Sequence, residues 1–218
     1  MERRRATSHP RRLRKIDGRI ATVYHSGWTG IAVGSMKMAD GIFTVPEFFS
    51  PEECVDFIAS SEKAGYEAAS LATIDGPKLE PQIRNNSRFI FDDFELALKL
   101  WQRSRHHIPL MLKGKQAVGF NERFRFYRYD AGQQFAGHVD APFRRSTGEV
   151  SQLTFMIYLN DNFVGGETKF DDLSIKPKVG MALIFQHELF HEGSTITKGR
   201  KYVLRTDVMY NPPGRFTG

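Results

Sequence analysis

From Arg123 onward the chain alternates apolar and polar side chains every second residue, and this change of period constrains its fold most. Side chains on a strand point alternately to its two faces, so such a pattern predicts half-buried β-strands. One later run, 153–159, is apolar enough for a strand that is buried on both faces. Turns rich in Gly, Pro and Asn separate the extended segments, which we predict at residues 124–129, 153–159, 168–170, 181–185 and 201–210.

Two helices are predicted before these strands. Ser50 is an N-cap followed by Pro51 at the first helical position and Glu53 three residues after the cap, and Gly65 marks the end. A second helix begins after Asp93, with Leu96, Leu100 and Trp101 on its buried face. Helices followed by many short strands predict an α+β, mainly β fold: a double-stranded β-helix (a jelly roll, cupin-like) with N-terminal helices packed on one sheet.

The length and composition favour one folded domain. With 218 residues and 40% hydrophobic residues, the chain is long enough to bury a core, and we expect a single domain over residues 20–218. We expect no membrane span, because no stretch of 18 apolar residues occurs, and no secretory signal. Cys54 is the only cysteine and is compatible with a reducing compartment, so we expect a cytoplasmic protein.

Positive charge is concentrated at the start of the chain. Residues 1–19 contain eight Lys and Arg against two acidic residues, so this arm carries the whole net charge of +6. We expect a solvated, disordered arm, as is usual for such termini. The alternative is an electrostatic contact between the arm and nucleic acid or another acidic partner.

His138 and Asp140 form an H-x-D motif within the predicted β-region, and His191 follows on a distant strand. Residues two apart on a strand share a face, so this imidazole and carboxylate point the same way. Two histidines and one carboxylate on one side of a metal ion hold Fe(II) and leave positions open for small molecules. We therefore predict His138, Asp140 and His191 as the ligands of a non-haem iron.

Lys201 lies ten residues after His191, on the last predicted strand. A lysine facing the same interior supplies the fixed cation that a dicarboxylate co-substrate requires. Together with the iron ligands it predicts an oxygenase that uses 2-oxoglutarate. Arg200 precedes Lys201, but only one of two consecutive strand residues can face inward, and we expect this to be Lys201.

The sequence also contains a motif that binds metal in zinc proteases. Residues 187–191 read H-E-x-x-H, which in zinc proteases lies on a helix and places both histidines on one face. Here the motif follows a predicted strand, and no His or Glu occurs after Glu192 to complete the site. We therefore interpret it as a chance match and expect His187 to be a loop residue.

These motifs resemble the prolyl 4-hydroxylase branch of the 2-oxoglutarate and iron(II)-dependent oxygenases. The resemblance is tight over residues 121–210, the expected catalytic core, and looser at residues 84–87, which are similar to a segment near the active-site mouth of that family. The H-x-D motif alone is a weak sign of this family, but its spacing to the other motifs is specific for the family. The matching pieces are residues 129–140, 157–160, 165–170, 180–191 and 199–210.

The resemblance implies a jelly-roll barrel with the iron inside its open end. It implies His138, Asp140 and His191 as metal ligands, and Lys201 as the partner of the distal carboxylate of 2-oxoglutarate. By their positions in the motifs, Tyr158 and Thr168 would hydrogen-bond the same carboxylate, and Tyr129 would lie beside the metal-chelating end. The cofactors would be Fe(II), 2-oxoglutarate as co-substrate and O2, with ascorbate as a further candidate reductant.

The reaction expected from this resemblance is hydroxylation of a prolyl residue in a protein or peptide, coupled to decarboxylation of 2-oxoglutarate to succinate and CO2. The main alternative is hydroxylation of a free amino acid or another small metabolite. Demethylation of nucleic acid is less favoured, since that family uses an arginine anchor much further beyond its last histidine. A catalytically silent binding module would have lost the metal ligands, which are all present here.

Five further positions near the motifs carry expectations. Arg205 shares the face of Lys201 and could touch substrate or the iron-proximal carboxylate, but we expect a surface ion pair. We expect Tyr127 to be a core aromatic residue rather than a site residue. Candidates for the apolar lining of the barrel are Phe126, Phe155 and Phe185.

Overall fold

The computed structural model describes residues 13–16, 19–22, 34–73 and 76–212. Its elements up to residue 112 are β1 (Leu13–Ile16), β2 (Arg19–Thr22), β3 (Met36–Ala39), β4 (Ile42–Val45), α1 (Pro51–Ala64), β5 (Glu67–Ala68), β6 (Leu71–Thr73), β7 (Gly76–Lys78), β8 (Ser87–Asp92), α2 (Phe94–Ser104), a short 3-10 helix (Arg105–His107) and β9 (Met111–Leu112).

The remaining elements are all strands, as the change of period at Arg123 predicted. They are β10 (Lys115–Phe120), β11 (Arg123–Tyr129), β12 (Phe135–His138), β13 (Val150–Tyr158), β14 (Val164–Gly165), β15 (Thr168–Phe170), β16 (Leu173–Ile175), β17 (Ala182–Gln186), β18 (His191–Gly193), β19 (Ile196–Lys198) and β20 (Lys201–Tyr210).

Two antiparallel sheets face each other. The larger has ten strands, with the path β3-β4-β17-β13-β20-β11-β8-β5 and with β10 and β9 attached beside β20. The smaller has four strands in the order β12-β18-β15-β16. Consecutive core strands pass from one sheet to the other, which is the connectivity of a double-stranded β-helix. The predicted jelly roll is confirmed.

Both predicted helices are present: α1 begins and ends where predicted, and α2 begins where predicted. Ser50 caps α1 by accepting a hydrogen bond from the Glu53 backbone N–H, while the Glu53 side chain accepts from the Ser50 backbone N–H. Asp93 caps α2 through the backbone N–H of Leu96. Each cap satisfies backbone donors that the first helical turn leaves without a partner.

The alternation along the strands divides the apolar side chains into two clusters. One face of the larger sheet packs against the helices, and this cluster includes Phe126 and Phe155 beside Cys54 and Leu100. The opposite face turns toward the smaller sheet and forms the barrel interior; it includes Phe185. Phe185 therefore lines the barrel, whereas the expectation for Phe126 and Phe155 was wrong, because their strand positions point them toward the helices.

The first part of the chain contributes a separate hairpin, in which β1 pairs with β2. The other residues of the predicted disordered arm, 1–12 and 17–18, lie outside the described residues. Among the helices that the structure describes, none is long and apolar enough to cross a membrane.

Candidate active site

Three potential metal ligands meet at one end of the smaller sheet. His138 ends β12 and lies directly opposite His191, the first residue of β18. Asp140 follows two residues after His138, and its carboxylate oxygens lie 3.7 Å from His138 Nε2 and 3.8 Å from His191 Nε2. One ligand atom from each residue lies within 4.8 Å of the other two. This spacing suits a single ion held between all three.

Backbone contacts fix the orientation of both imidazoles. The Nδ1–H of His138 donates to the carbonyl of Ala136 (2.8 Å), and that of His191 donates to the carbonyl of Leu189 (2.9 Å). Each Nε2 therefore carries its lone pair on the side of Asp140. Burial, followed by the neighbouring His191, lowers the pKa of His138 to about 4, and burial also lowers the pKa of His191. Both rings are thus neutral at pH 7, as metal binding requires.

Two donors hold the carboxylate of Asp140. Arg205 Nη1 lies 2.9 Å from Oδ1, and the hydroxyl of Thr154 donates to Oδ2 at 2.5 Å. Burial alone would raise the pKa of Asp140, but Arg205 opposes it and, with His191 and Thr154, brings this pKa down to about 2. Asp140 is therefore ionised and fixed in orientation. Two neutral imidazoles and one oriented carboxylate are a donor set that fits Fe(II).

The prediction that Arg205 forms a surface ion pair was wrong. Its side chain is 13% exposed, and besides Asp140 it contacts Asp207, whose Oδ1 lies 3.2 Å from Arg205 Nη2. Asp207 is also buried and is contacted by Arg125 (3.2 Å) and by His187 Nε2 (3.5 Å). Arg205 can be buried because a carboxylate on either side compensates its charge.

Lys201 lies at the other end of the same interior face of β20. It is 3% exposed, and its ammonium donates to the carbonyl of Gly166 (2.5 Å). It also lies 5.5 Å from the centre of the Tyr129 ring and 5.2 Å from that of Tyr158, and Tyr158 shares a hydrogen bond of 2.7 Å with Thr168. The predicted 2-oxoglutarate contacts therefore form one cluster of a cation and hydroxyl groups.

Arg200 faces outward, as predicted from the alternation, and binds Asp130 (2.5 Å). Tyr129 stands directly opposite Lys201 in the pairing of β11 with β20, so we place it at the Lys201 end of the cavity rather than at the metal end where the sequence predicted it. Tyr127 shares its face and lines the same cavity. Tyr127 is a buried core aromatic residue, as expected, and it also lines the cavity, because residues two apart on a strand point the same way.

His138, His191 and Lys201 border a single cavity inside the barrel, and Asp140 lies beside the two histidines. Its wall is largely aromatic and apolar, with polar groups at the two ends. Such a cavity, with few and convergent polar groups, is typical of a site for a small molecule. The lining residues include Tyr127, Tyr129, Phe135, His138, Thr168, Phe185, His191, Lys201, Val203 and Arg205.

The family model described as "2OG-Fe(II) oxygenase superfamily" matches residues 124–206, the segment that supplies all of these strands and ligands. Over this segment the chain is therefore similar to the 2OG-Fe(II) oxygenase superfamily. It is a dioxygenase that uses Fe(II), 2-oxoglutarate and O2. A comparison with curated protein sequences finds no match.

Solved structures of prolyl hydroxylases share the fold of this oxygenase. A viral collagen prolyl hydroxylase from Paramecium Bursaria Chlorella virus-1 is 21% identical, with a TM-score of 0.56, over 81% of this chain and all of that one. A Pseudomonas putida prolyl-4-hydroxylase is 16% identical, with a TM-score of 0.61, over 77% of this chain and 92% of that one. A Trichoplax adhaerens prolyl hydroxylase was solved with a hypoxia inducible factor peptide fragment. It is 16% identical, with a TM-score of 0.59, over 78% of this chain and 84% of that one.

The H-E-x-x-H motif of this oxygenase is not on a helix. His187 to Phe190 form the turn between β17 and β18, and Glu188 lies near the surface, where it pairs with Lys113 (2.6 Å). The interpretation as a chance match is confirmed. His187 is nevertheless buried at 6% exposure, and its carbonyl accepts a hydrogen bond from the Asp140 backbone N–H (3.0 Å). It thus positions the main chain of Asp140.

We expect the affinity of the oxygenase for 2-oxoglutarate to fall as the pH rises above 7. Burial lowers the pKa of Lys201 to about 7, although Glu167 opposes this, so the free protein loses the ammonium proton above that pH. A bound carboxylate favours the charged lysine and raises its pKa. The Kd of the Mn(II)-loaded protein should therefore rise up to about tenfold per pH unit between pH 7.5 and 9.

The measurement is anaerobic titration with 2-oxoglutarate at each pH, and Mn(II) affinity is measured in parallel. A Lys201→Arg variant keeps its charge over this range and should lose the pH dependence. The same Kd for the wild-type protein at pH 7.5 and 9 would contradict the role of Lys201.

Proposed function

We propose that this oxygenase hydroxylates a prolyl residue in a protein or peptide and converts 2-oxoglutarate to succinate and CO2 in the same reaction. The observation that carries the proposal is that His138 and His191, grouped with Asp140, line one end of a cavity whose other end contains buried Lys201. The metal ion and 2-oxoglutarate supply the activation of O2. The protein supplies their positions and an environment without bulk water.

The ligand side chains need little reorganisation to receive the metal. The carbonyls of Ala136 and Leu189 hold the two imidazoles, and Arg205 and Thr154 hold Asp140. Fixed outer contacts of this kind orient metal ligands and prevent alternative tautomers. His138 also stacks on Phe135 at 3.6 Å between ring centres, which restricts its rotation further.

Lys201 would bind the distal carboxylate of 2-oxoglutarate, with Thr168 and Tyr158 as hydroxyl partners. A carboxylate in an apolar cavity requires a compensating charge, and Lys201 has no carboxylate partner among residues 34–73 and 76–212. Lys201 would exchange the carbonyl of Gly166 for the carboxylate. Gly166 has a φ of +72°, which brings its carbonyl to Lys201 and favours glycine at this turn.

A second cleft, of about 270 Å³, opens beside Asp140 and supports a peptide as the substrate. Apolar side chains and two glutamine amides form its walls, with the Lys113–Glu188 ion pair at the rim. Amide groups can pair with a peptide backbone, and apolar walls suit a prolyl ring. The lining residues include Leu112, Val139, Pro142, Gln152 and Gln186.

The test is succinate formation with a library of proline-containing peptides, after anaerobic loading with Fe(II) and 2-oxoglutarate. We expect some peptides to increase succinate release at least about tenfold and to gain one oxygen atom by mass, because substrate binding completes the site. A His138→Ala protein is the control and should release none. Succinate release that small amino acids stimulate, but no peptide does, would reject the peptide substrate.

A further inference from the structure

Arg84 is a buried cation inside the barrel to which the proposed reaction gives no role. It forms an isolated antiparallel bridge with Phe135, and residues directly opposite one another in such a pair point to the same face of the sheet. Its guanidinium carbon lies 4.3 Å from the centre of the Phe135 ring and 4.5 Å from that of Tyr127. Both rings line the cavity that His138, His191 and Lys201 also line.

The charge of Arg84 is only partly compensated. The residue is 7% exposed, and its Nε donates to the Asn86 side chain at 2.8 Å. Its Nη2 is buried without a hydrogen-bond partner. Over residues 34–73 and 76–212 it makes no ion pair with a carboxylate. The two aromatic rings offset part of the cost of burial, but they leave a guanidinium N–H without an acceptor.

The other buried cations of the barrel differ from Arg84 in their counter-charges. Arg205 has Asp140 and Asp207 on either side. Lys201 is assigned to the distal carboxylate of 2-oxoglutarate. Arg84 therefore lies next to the cavity without a carboxylate as counter-charge among the residues that the structure describes, and a planar guanidinium is well suited to a carboxylate.

We infer that Arg84 is a second carboxylate-binding residue of this active site, distinct from Lys201. The inference rests on the proposed function, because it concerns ligands of the same cavity. The carboxylate has two possible sources: the metal-proximal carboxylate of 2-oxoglutarate, or a carboxylate carried by the substrate that is hydroxylated. In both cases the ligand supplies the acceptor that Arg84 Nη2 lacks.

The experiment compares wild-type protein with Arg84→Gln in two binding assays, both anaerobic and with Mn(II)-loaded protein. The first titrates 2-oxoglutarate. The second compares L-proline with L-prolinamide, and proline peptides with a free or an amidated C-terminus, in the presence of saturating 2-oxoglutarate. Loss of a charged hydrogen bond should weaken carboxylate binding about 10- to 100-fold. Weaker binding in the first assay assigns Arg84 to the co-substrate. A lost preference for the acid over the amide in the second assigns it to the substrate.

Arg88→Gln is the matched control, because Arg88 lies close to Arg84 in the sequence but already has Glu67 as a counter-charge and Ser70 as a hydrogen-bond acceptor. It should change neither assay. If Arg84→Gln lowers the thermal midpoint too far for use, Arg84→Lys replaces it. This variant keeps the charge but loses the planar pair of donors, and should bind the carboxylate about three- to tenfold more weakly than wild type.

Unchanged affinity for 2-oxoglutarate, together with no loss of preference for acid over amide, would overturn the inference. The inference is also overturned if the wild-type protein itself does not prefer the acid over the amide and Arg84→Gln leaves the affinity for 2-oxoglutarate unchanged. Failure of the proposed function is separate, since it appears as succinate release that no peptide stimulates, whereas the first assay needs no peptide.

Discussion

Replacing His191 with alanine is expected to weaken Fe(II) binding by at least about 100-fold and to reduce succinate formation to background. Loss of an outer contact to a metal ligand typically costs 10- to 100-fold in affinity, and loss of the ligand itself costs more. His191 Nε2 is one of the three atoms that meet around the proposed ion, and no described histidine side chain other than His138 faces the same point. Fe(II) affinity would be measured anaerobically by competition with a chelator.

His187→Ala is the matched control for this variant. In the protease interpretation of H-E-x-x-H, His187 and His191 would be equivalent ligands. In the structure His187 Nε2 faces Asp207 instead, and Asp207 in turn contacts Arg205. Because His187 affects the metal site only through these two residues, His187→Ala should weaken Fe(II) binding by less than about tenfold. Equal losses in the two variants would reject the ligand set of His138, Asp140 and His191.

The fold was predictable because local patterns and tertiary packing agree in this chain. Period-two alternation marked β11, and a continuous apolar run marked β13 as a strand that is buried on both faces. The Ser50–Glu53 capping box and Gly65 marked the ends of α1. The grouping of Lys201 with Thr168 and Tyr158 needed the family resemblance, because these residues lie on different strands. Their order along the chain does not indicate which strands pair.

The errors came from judging residues singly rather than by strand face. Tyr127 shares a face with Tyr129, and Arg205 shares one with Lys201, so the alternation that placed one residue in the cavity placed the other there too. The preference for a surface position of Arg205 overlooked Asp207, two residues later on the same face. Nothing in the sequence could show that Asp140, from another part of the chain, would lie 2.9 Å from Arg205.

Replacing Lys201 with methionine is expected to raise the Kd for 2-oxoglutarate by about 100-fold while leaving metal affinity within about threefold. Methionine fills similar space but leaves the distal carboxylate buried without a counter-charge, and losing one hydrogen bond between charged groups already costs about 10- to 100-fold. The thermal midpoint of this variant should not fall, because a buried and partly compensated ammonium is replaced by an apolar side chain. Both affinities would be measured anaerobically on Mn(II)-loaded protein.

Arg200→Met separates the role of Lys201 from the general charge of this strand end. Arg200 is adjacent in sequence and carries the same charge, but it points outward to Asp130 and Glu62. Its removal should change the Kd for 2-oxoglutarate by less than about twofold, since charges on the solvated side are screened. If Arg200→Met weakened binding as much as Lys201→Met, the anchor would not be a single residue selected by strand alternation. The assignment of the interior face of β20 to 2-oxoglutarate would then fail.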